Sequence, residues 1–225
     1  MKTIEDYYRD KIREDKDIQE HLPTLKRYAE KCKHVTEMGV RSIVSTWALL
    51  YANPKKLISI DIKHPSEFIN YDSSGCNIEE VERLSKANGI DFSFVIGDTL
   101  KIDIAPTDLL FIDTLHTYNQ LRQELARHAS KVSKYIILHD TETFRNKDEI
   151  FSGSSAETQT KKGIWAAVEE FLSENKNWKI YEHFTNNNGL TVLGNVPNLN
   201  KSDFWGQRKF WTKKRLRAFV NSLRS

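Results

Sequence analysis

Five short strand-length stretches, four of them apolar runs and the first only apolar-leaning, punctuate this chain, and each one stops at glycine, aspartate or histidine. They cover residues 34–38, 57–62, 92–96, 109–112 and 135–138, stopping at Gly39, Asp61, Gly97-Asp98, Asp113 and His139-Asp140. A run such as Leu-Leu-Phe-Ile, apolar at every position and only strand-length, predicts a strand buried on both faces. The segments between the runs carry helical spacing. Residues 45–52 predict a helix that Ser or Thr can cap and that Asn53-Pro54 ends. Residues 78–88 predict another, stopped by Gly89. Further helices are expected over 119–128 and over 163–174, where Ile164, Val168, Phe171 and Leu172 share one face. Upstream, 4–20 and 23–32 read as two helices, the second opened by Pro23 and the pair covering a sheet edge or a ligand mouth. Downstream, strands over 178–184 and 190–196 flank Thr-Asn-Asn-Asn-Gly, a hairpin signal. Residues 141–162 are polar and irregular, and a loop of that length is a functional candidate.

Strands alternating with helices predict an α/β fold: a doubly wound, mostly parallel seven-stranded sheet with a C-terminal antiparallel hairpin and N-terminal helices. The expected organisation is a helical cap over 1–33, a main domain over 34–197 and a basic helix over 198–225. Composition adds little that changes this. The chain has 225 residues, 39% hydrophobic and 29% charged, and no apolar run approaches a membrane span. The charged N-terminus lacks a signal core, and Cys32 and Cys76 have no metal-site spacing, so free thiols in a cytoplasmic protein are expected. Charge matters only at the end, where residues 201–225 hold eight Lys or Arg against Asp203. That tail reads as a solvated amphipathic helix, with phosphate or anionic lipid contact as the rival.

Candidate chemistry gathers where the strands stop, because open α/β sheets bind ligands at the carboxyl ends of their strands. Gly39 allows a ligand near the backbone, and amides opening the next helix favour an anion. The loop reads Gly-Val-Arg-Ser-Ile-Val-Ser rather than G-x-G-x-x-G, which disfavours a pyrophosphate cradle and leaves room for a smaller anion such as a carboxylate. Asp61 is placed for ribose hydroxyls and Asp98 for an adenine amino group. Asp113 and Asp140 end neighbouring strands and suit Mg²⁺ or Mn²⁺, with oxygen from Thr141 or Glu142. His139 is a third candidate ligand that shifts the choice toward Mn²⁺ or Zn²⁺. Taken singly, Asp113 can also cap the next helix and Asp140 start a turn. His116, three residues beyond Asp113, has the pKa of a base at neutral pH. His21, His34, His64, His128 and His183 read as solvated surface residues. No nucleophile elbow is present.

The stretches 36–50, Ile60-Asp61, Ile96-Gly-Asp98, Phe-Ile-Asp-Thr-Leu-His-Thr-Tyr at 111–118 and Leu-His-Asp at 138–140 resemble class I S-adenosylmethionine-dependent methyltransferases. The closer resemblance, over about residues 30–195, is to small O-methyltransferases with F-I-D-x-x-H-x-Y and L-H-D signatures. Macrolide-sugar O-methyltransferases and cephalosporin-hydroxylase-like proteins belong to that group. The resemblance implies a Rossmann-like fold with residues 34–197 as the methyltransferase domain. It implies S-adenosylmethionine held by Glu37, Gly39, Ser45, Asp61, Asp98 and Asp113. It also implies a metal at Asp113 and Asp140, with Thr141 and His139 at the neighbouring positions, and His116 as base. Thr141 stands where an amide is usual, His139 where the sugar enzymes tend to carry Glu, and Ile43 near the usual second glycine. The implied reaction is in-line displacement at the sulfonium methyl by a hydroxyl of a sugar, glycan or similar polyol, with residues 141–162 selecting the acceptor. A nicotinamide-dependent oxidoreductase and a nucleic-acid methyltransferase using the basic tail are the alternatives. A cofactor-binding protein without catalysis is a further one. The glycine-poor loop opposes the first, and the missing asparagine–proline–proline–aromatic signature opposes amino-group methylation. Homo-oligomerisation is left open.

Overall fold

Alternation within the buried strands sets the layers of this molecule. In a computed structural model describing residues 2–14, 17–67, 77–150, 160 and 162–199, strand β4 (Thr107–Ile112) sends Leu109 and Phe111 to one core and Leu110 and Ile112 to another. Strand β5 (Val132–His139) does the same with Tyr135 and Ile137 against Ile136 and Leu138. Both faces being apolar, the sheet has to be covered on both sides.

The other strands are β1 (His34–Met38), β2 (Lys56–Asp61), β3 (Asp91–Ile96), β6 (Trp178–Phe184) and β7 (Leu190–Asn195). They form one seven-stranded sheet in the order β3-β2-β1-β4-β5-β7-β6. The first five are parallel, and β7 runs antiparallel to both β5 and β6. The expected fold class is therefore the observed one. The chain order reverses between β1 and β4, and crevices at such switch points are where open α/β sheets bind ligands.

One face is covered by α1 (Ile4–Glu14), α2 (Leu22–Ala29), α3 (Ser45–Tyr51) and α4 (Ile78–Ala87). The other carries α5 (Tyr118–His128) and α6 (Gly163–Glu174). The N-terminal helices share a core with the sheet: Tyr7 stacks on Trp47 of α3 with ring centroids 4.3 Å apart, and Tyr28 meets Tyr135 edge-on at 4.8 Å. They lie on a face of the sheet rather than along its edge.

Several element boundaries correct the expectation. The first helix ends at Glu14 instead of running to residue 20, and Gln19–His21 form a separate 3₁₀ turn. Neither Ser nor Thr caps α3, because Ser45 and Thr46 turn their hydroxyls into the core (below). Helix α5 is capped by Thr117, whose side chain accepts from the Gln120 amide at 3.2 Å, so Asp113 is not its cap. Among the surface histidines expected, His21 and His128 are buried. His21 Nε2 lies 3.0 Å from the Asn186 carbonyl, and His128 Nε2 lies 2.7 Å from that of Thr99; each imidazole exchanges solvent for a backbone partner. Cys32 is buried and free, and Cys76 lies outside the described residues. So do residues 200–225 of the basic tail and 151–159 of the loop. No helix among the described residues is long and apolar enough to cross a membrane.

Candidate active site

The carboxyl rim begins with the turn after β1. The Gly39 amide donates to the Ile60 carbonyl at 2.9 Å, and the Asp113 amide donates to the Met38 carbonyl at 2.8 Å, so β1 and β4 touch right up to this turn. Gly39 has φ +85°, and a Cβ there would lie 1.9 Å from the Asp113 carbonyl oxygen. Glycine is required for this approach alone. Arg41 and Ile43 follow at φ 46° and 56°. Ile43 thus keeps a left-handed conformation that glycine adopts freely and a β-branched residue rarely does. It is fully buried in the core beneath α3, and that burial holds the strained backbone.

The loop amides do not wait for a ligand, as the anion reading expects. Val40 and Arg41 donate to Asp61 Oδ2 at 2.7 and 2.9 Å, and Lys63 donates to Oδ1 at 3.2 Å. Positive φ at Gly39 and Arg41 points consecutive N–H groups to one side, an anion nest that Asp61 fills. Glu37 is likewise committed inward. It is 0% exposed, and Ser45, Thr46 and Ser59 donate to its carboxylate at 2.5, 2.8 and 2.6 Å. Burial pushes its pKa up to about 7 against those hydroxyls. Glu37 and Ser45 therefore join β1, β2 and α3. Asp98 stands two residues beyond Ile96, the partner of Asp61, and accepts from the Leu100 amide at 2.9 Å while pairing with Lys101 at 3.0 Å. Ile62 and Ile96, both mostly exposed, border these two aspartates.

The centre of the rim is a cluster of ionisable groups. His139 Nδ1 lies 3.3 Å from Asp113 Oδ1 and 3.1 Å from Asp140 Oδ2. His116 Nε2 lies 3.3 and 3.0 Å from the same two oxygens. Asp113, Asp140 and His139 offer ligand atoms all within 4.8 Å of one another. Asp140 also begins a turn, with φ 58° and its carbonyl accepting from the Phe144 amide, so the structural and chemical readings of this residue coexist. Burial opposes ionisation of Asp113 and Asp140, yet the two histidines hold both carboxyls below their usual range. Burial likewise opposes charge on the imidazoles, and the carboxylates outweigh it. His139 rises to about 10 and His116 well above its ordinary value.

Thr141 does not join the cluster as the side chains stand. It is buried, and its hydroxyl accepts from Thr191 at 3.0 Å, on the β7 side. Sequence reasoning also missed Glu149, whose Oε2 lies 2.9 Å from His116 Nδ1. It missed the turn at 17–21 as well. Asp17 reaches the mouth there, 3.4 Å from the Arg41 guanidinium and accepting from Asn188 Nδ2 at 2.7 Å. No local signal marks Glu149; its position in a polar loop after a histidine-bearing strand end was the only available hint.

The two carboxylates and the imidazole form a donor set of the kind that holds Mg²⁺ or Mn²⁺. The bare apolar surface of Ile62 and Ile96 beside two carboxylates suits a flat base joined to a ribose. Both groups therefore fit the residues present.

No family model matches the chain, and no curated protein matches it in sequence. Solved structures do resemble it. A candidate caffeoyl-CoA O-methyltransferase from Staphylococcus aureus has TM-score 0.55 and 13% identity, covering 77% of this chain and 82% of that one. An O-methyltransferase from Bacillus cereus, solved with SAH, has TM-score 0.53 and 11% identity over 85% and 89%. The SAH-bound methyltransferase PaMTH1 from Podospora anserina has TM-score 0.50 and 13% identity over 84% and 86%. At such identities the likeness establishes the fold: this chain has the architecture of those methyltransferases.

Proposed function

We propose that this chain is an S-adenosylmethionine-dependent O-methyltransferase acting on a hydroxyl of a sugar, glycan or similar small polyol, with a divalent cation and His116 as base. The observation that carries the reading is the convergence of Asp113, His116, His139 and Asp140 at the carboxyl ends of β4 and β5, beside the switch point of a methyltransferase-like sheet. Asp61 and Asp98, with Ile62 and Ile96 beside them, would receive the nucleoside of the cofactor, which supplies an electrophilic methyl group. Asp113 and Asp140 would hold the cation, with His139 alongside, and a bound cation makes a nearby hydroxyl more acidic. The carboxylates that hold a proton on His116 Nε2 would be neutralised by a bound cation, and Nε2 would then be free to take the acceptor's proton. Phe144 stacks on the face of the His116 ring, centroids 4.9 Å apart and planes 4° from parallel, while the carboxylates meet the ring at its edge. The mouth is polar. Asp17, Arg41 and Asn188 offer hydrogen bonds rather than a flat apolar slot, which favours a polyhydroxylated acceptor.

Calorimetric titration with S-adenosylhomocysteine, with NAD and with Mn²⁺ tests the reading. Binding of the first and third without NAD is expected. Tight NAD binding without S-adenosylhomocysteine would refute it. In a methyl-transfer assay over a panel of sugars and catechols, His116→Ala and Asp113→Ala are expected to abolish turnover and leave S-adenosylhomocysteine bound. Near-normal methylation by either variant would overturn the assigned roles.

A further inference from the structure

We infer that Glu149 is the positioning residue for His116, fixing the ring so that Nε2 is presented to the acceptor side of the site. The inference rests on the proposed methyl transfer for its chemical purpose, and on geometry for its substance. Glu149 and His116 are joined three times. Glu149 Oε2 lies 2.9 Å from His116 Nδ1 and accepts from the His116 amide at 3.2 Å, and the Glu149 amide donates to the His116 carbonyl at 2.9 Å. An imidazole held at Nδ1 by a carboxylate has a defined tautomer and a defined direction for its other nitrogen. Here that nitrogen points at Asp113 and Asp140, at 3.3 and 3.0 Å. The stacked Phe144 ring removes the remaining freedom to tilt.

Glu149 is itself placed by its neighbour. Asp148 is buried, and its carboxylate accepts from the Tyr118 amide at 2.8 Å and from the Thr160 amide and hydroxyl at 2.7 and 2.9 Å. Those groups lie at or just before the amino ends of α5 and α6. Asp148 therefore ties the segment to both helices, and the next residue is delivered to His116.

In the reaction, the acceptor oxygen bonds to the methyl carbon as the carbon–sulfur bond breaks. The sulfonium leaves as a neutral thioether, and the hydroxyl proton passes to Nε2 of a His116 ring that enters the step neutral, its one hydrogen on Nδ1 toward Glu149. The charge then on the ring is shared with Glu149 through Nδ1–H. A group that only packed the loop would have no influence on that hydrogen.

The test compares full-length wild type, Glu149→Gln and Glu149→Ala by ¹⁵N-edited NMR of the histidine rings, with His116 assigned by the loss of its signal in His116→Gln. Wild type and Glu149→Gln, which keeps an acceptor oxygen, are expected to show a protected Nδ1–H. Glu149→Ala is expected to lose it, while Mn²⁺ affinity measured by electron paramagnetic resonance stays within about threefold. Persistence of the protected Nδ1–H in Glu149→Ala would overturn the inference. So would a fall of more than about tenfold in Mn²⁺ affinity in Glu149→Gln with the His116 signal intact, which would make Glu149 a metal ligand instead. If wild type binds no S-adenosylhomocysteine, the methyl-transfer reading fails, and the NMR comparison still decides whether Glu149 orients His116.

Discussion

Replacing Glu37 by Gln should make the protein less sensitive to pH, with a sign and size set by the structure. Glu37 has no exposed surface, and three hydroxyl donors, Ser45, Thr46 and Ser59, compensate it among the described residues. Burial wins over those bonds and raises its pKa from 4.5 to about 7. Between those two values the folded protein binds a proton that the unfolded chain has released, so stability falls as pH rises through this window. Each tenfold difference in proton affinity is worth about 1.4 kcal/mol, which makes the full loss about 3 kcal/mol by pH 8. Glutamine keeps the shape and cannot ionise. Its oxygen accepts from two of the hydroxyls and its amide donates to a third, so at pH 5 the variant should match wild type within about 1 kcal/mol. At pH 8 it should be the more stable by about 3 kcal/mol. Urea unfolding of both proteins across pH 5 to 8 measures the difference, and background titrations cancel in the comparison. Parallel curves for the two proteins would refute the reasoning, since Glu37 would then not change protonation across the window.

Two further perturbations probe the loop that follows. Gly39→Ala places a methyl group within 1.9 Å of the Asp113 carbonyl at φ +85°. It should cost more than about 3 kcal/mol in urea unfolding, and a loss under about 1 kcal/mol would show that β1 and β4 can part cheaply. Ile43→Gly sets two effects against each other. Relief of left-handed strain returns about 1–3 kcal/mol, and loss of a fully buried side chain costs about 2–5 kcal/mol, so a net destabilisation of about 2 kcal/mol is expected. A variant more stable than wild type would mean that strain, and not packing, dominates at this position.

The strands were legible because burial on both faces leaves an unmistakable trace: no polar residue interrupts Leu109–Ile112 or Tyr135–Leu138. Asp113 and Asp140 were legible as rim residues for the same reason, since a charge marks where such a strand leaves the core. Helix ends were less so. Residues 15–20 look helical by composition, yet Asp17 leaves the helical path for the mouth of the site, where Arg41 and Asn188 meet it. Nothing within the N-terminal segment encodes partners so distant in the chain.

Polar residues were the hardest to place, because a carboxylate or imidazole carries no periodicity of its own. Glu37, which the family resemblance assigns to the cofactor, is a core acid, since β1 is too deeply covered for its side chain to reach water. Asp61 reads as a ligand for a ribose and also closes the glycine loop, a task created only when β1 and β2 lie side by side. His21 and His128 are buried because backbone carbonyls from elsewhere in the chain come to them. What the amino-acid sequence determined by itself was the layered sheet, its strand ends and the acidic rim, all consequences of local hydrophobic pattern. What the tertiary structure alone decided was partnership: Glu149 with His116, His139 between two aspartates, Thr141 turned away to Thr191. Such pairings depend on where separate segments meet in space, and short-range pattern holds no record of that meeting.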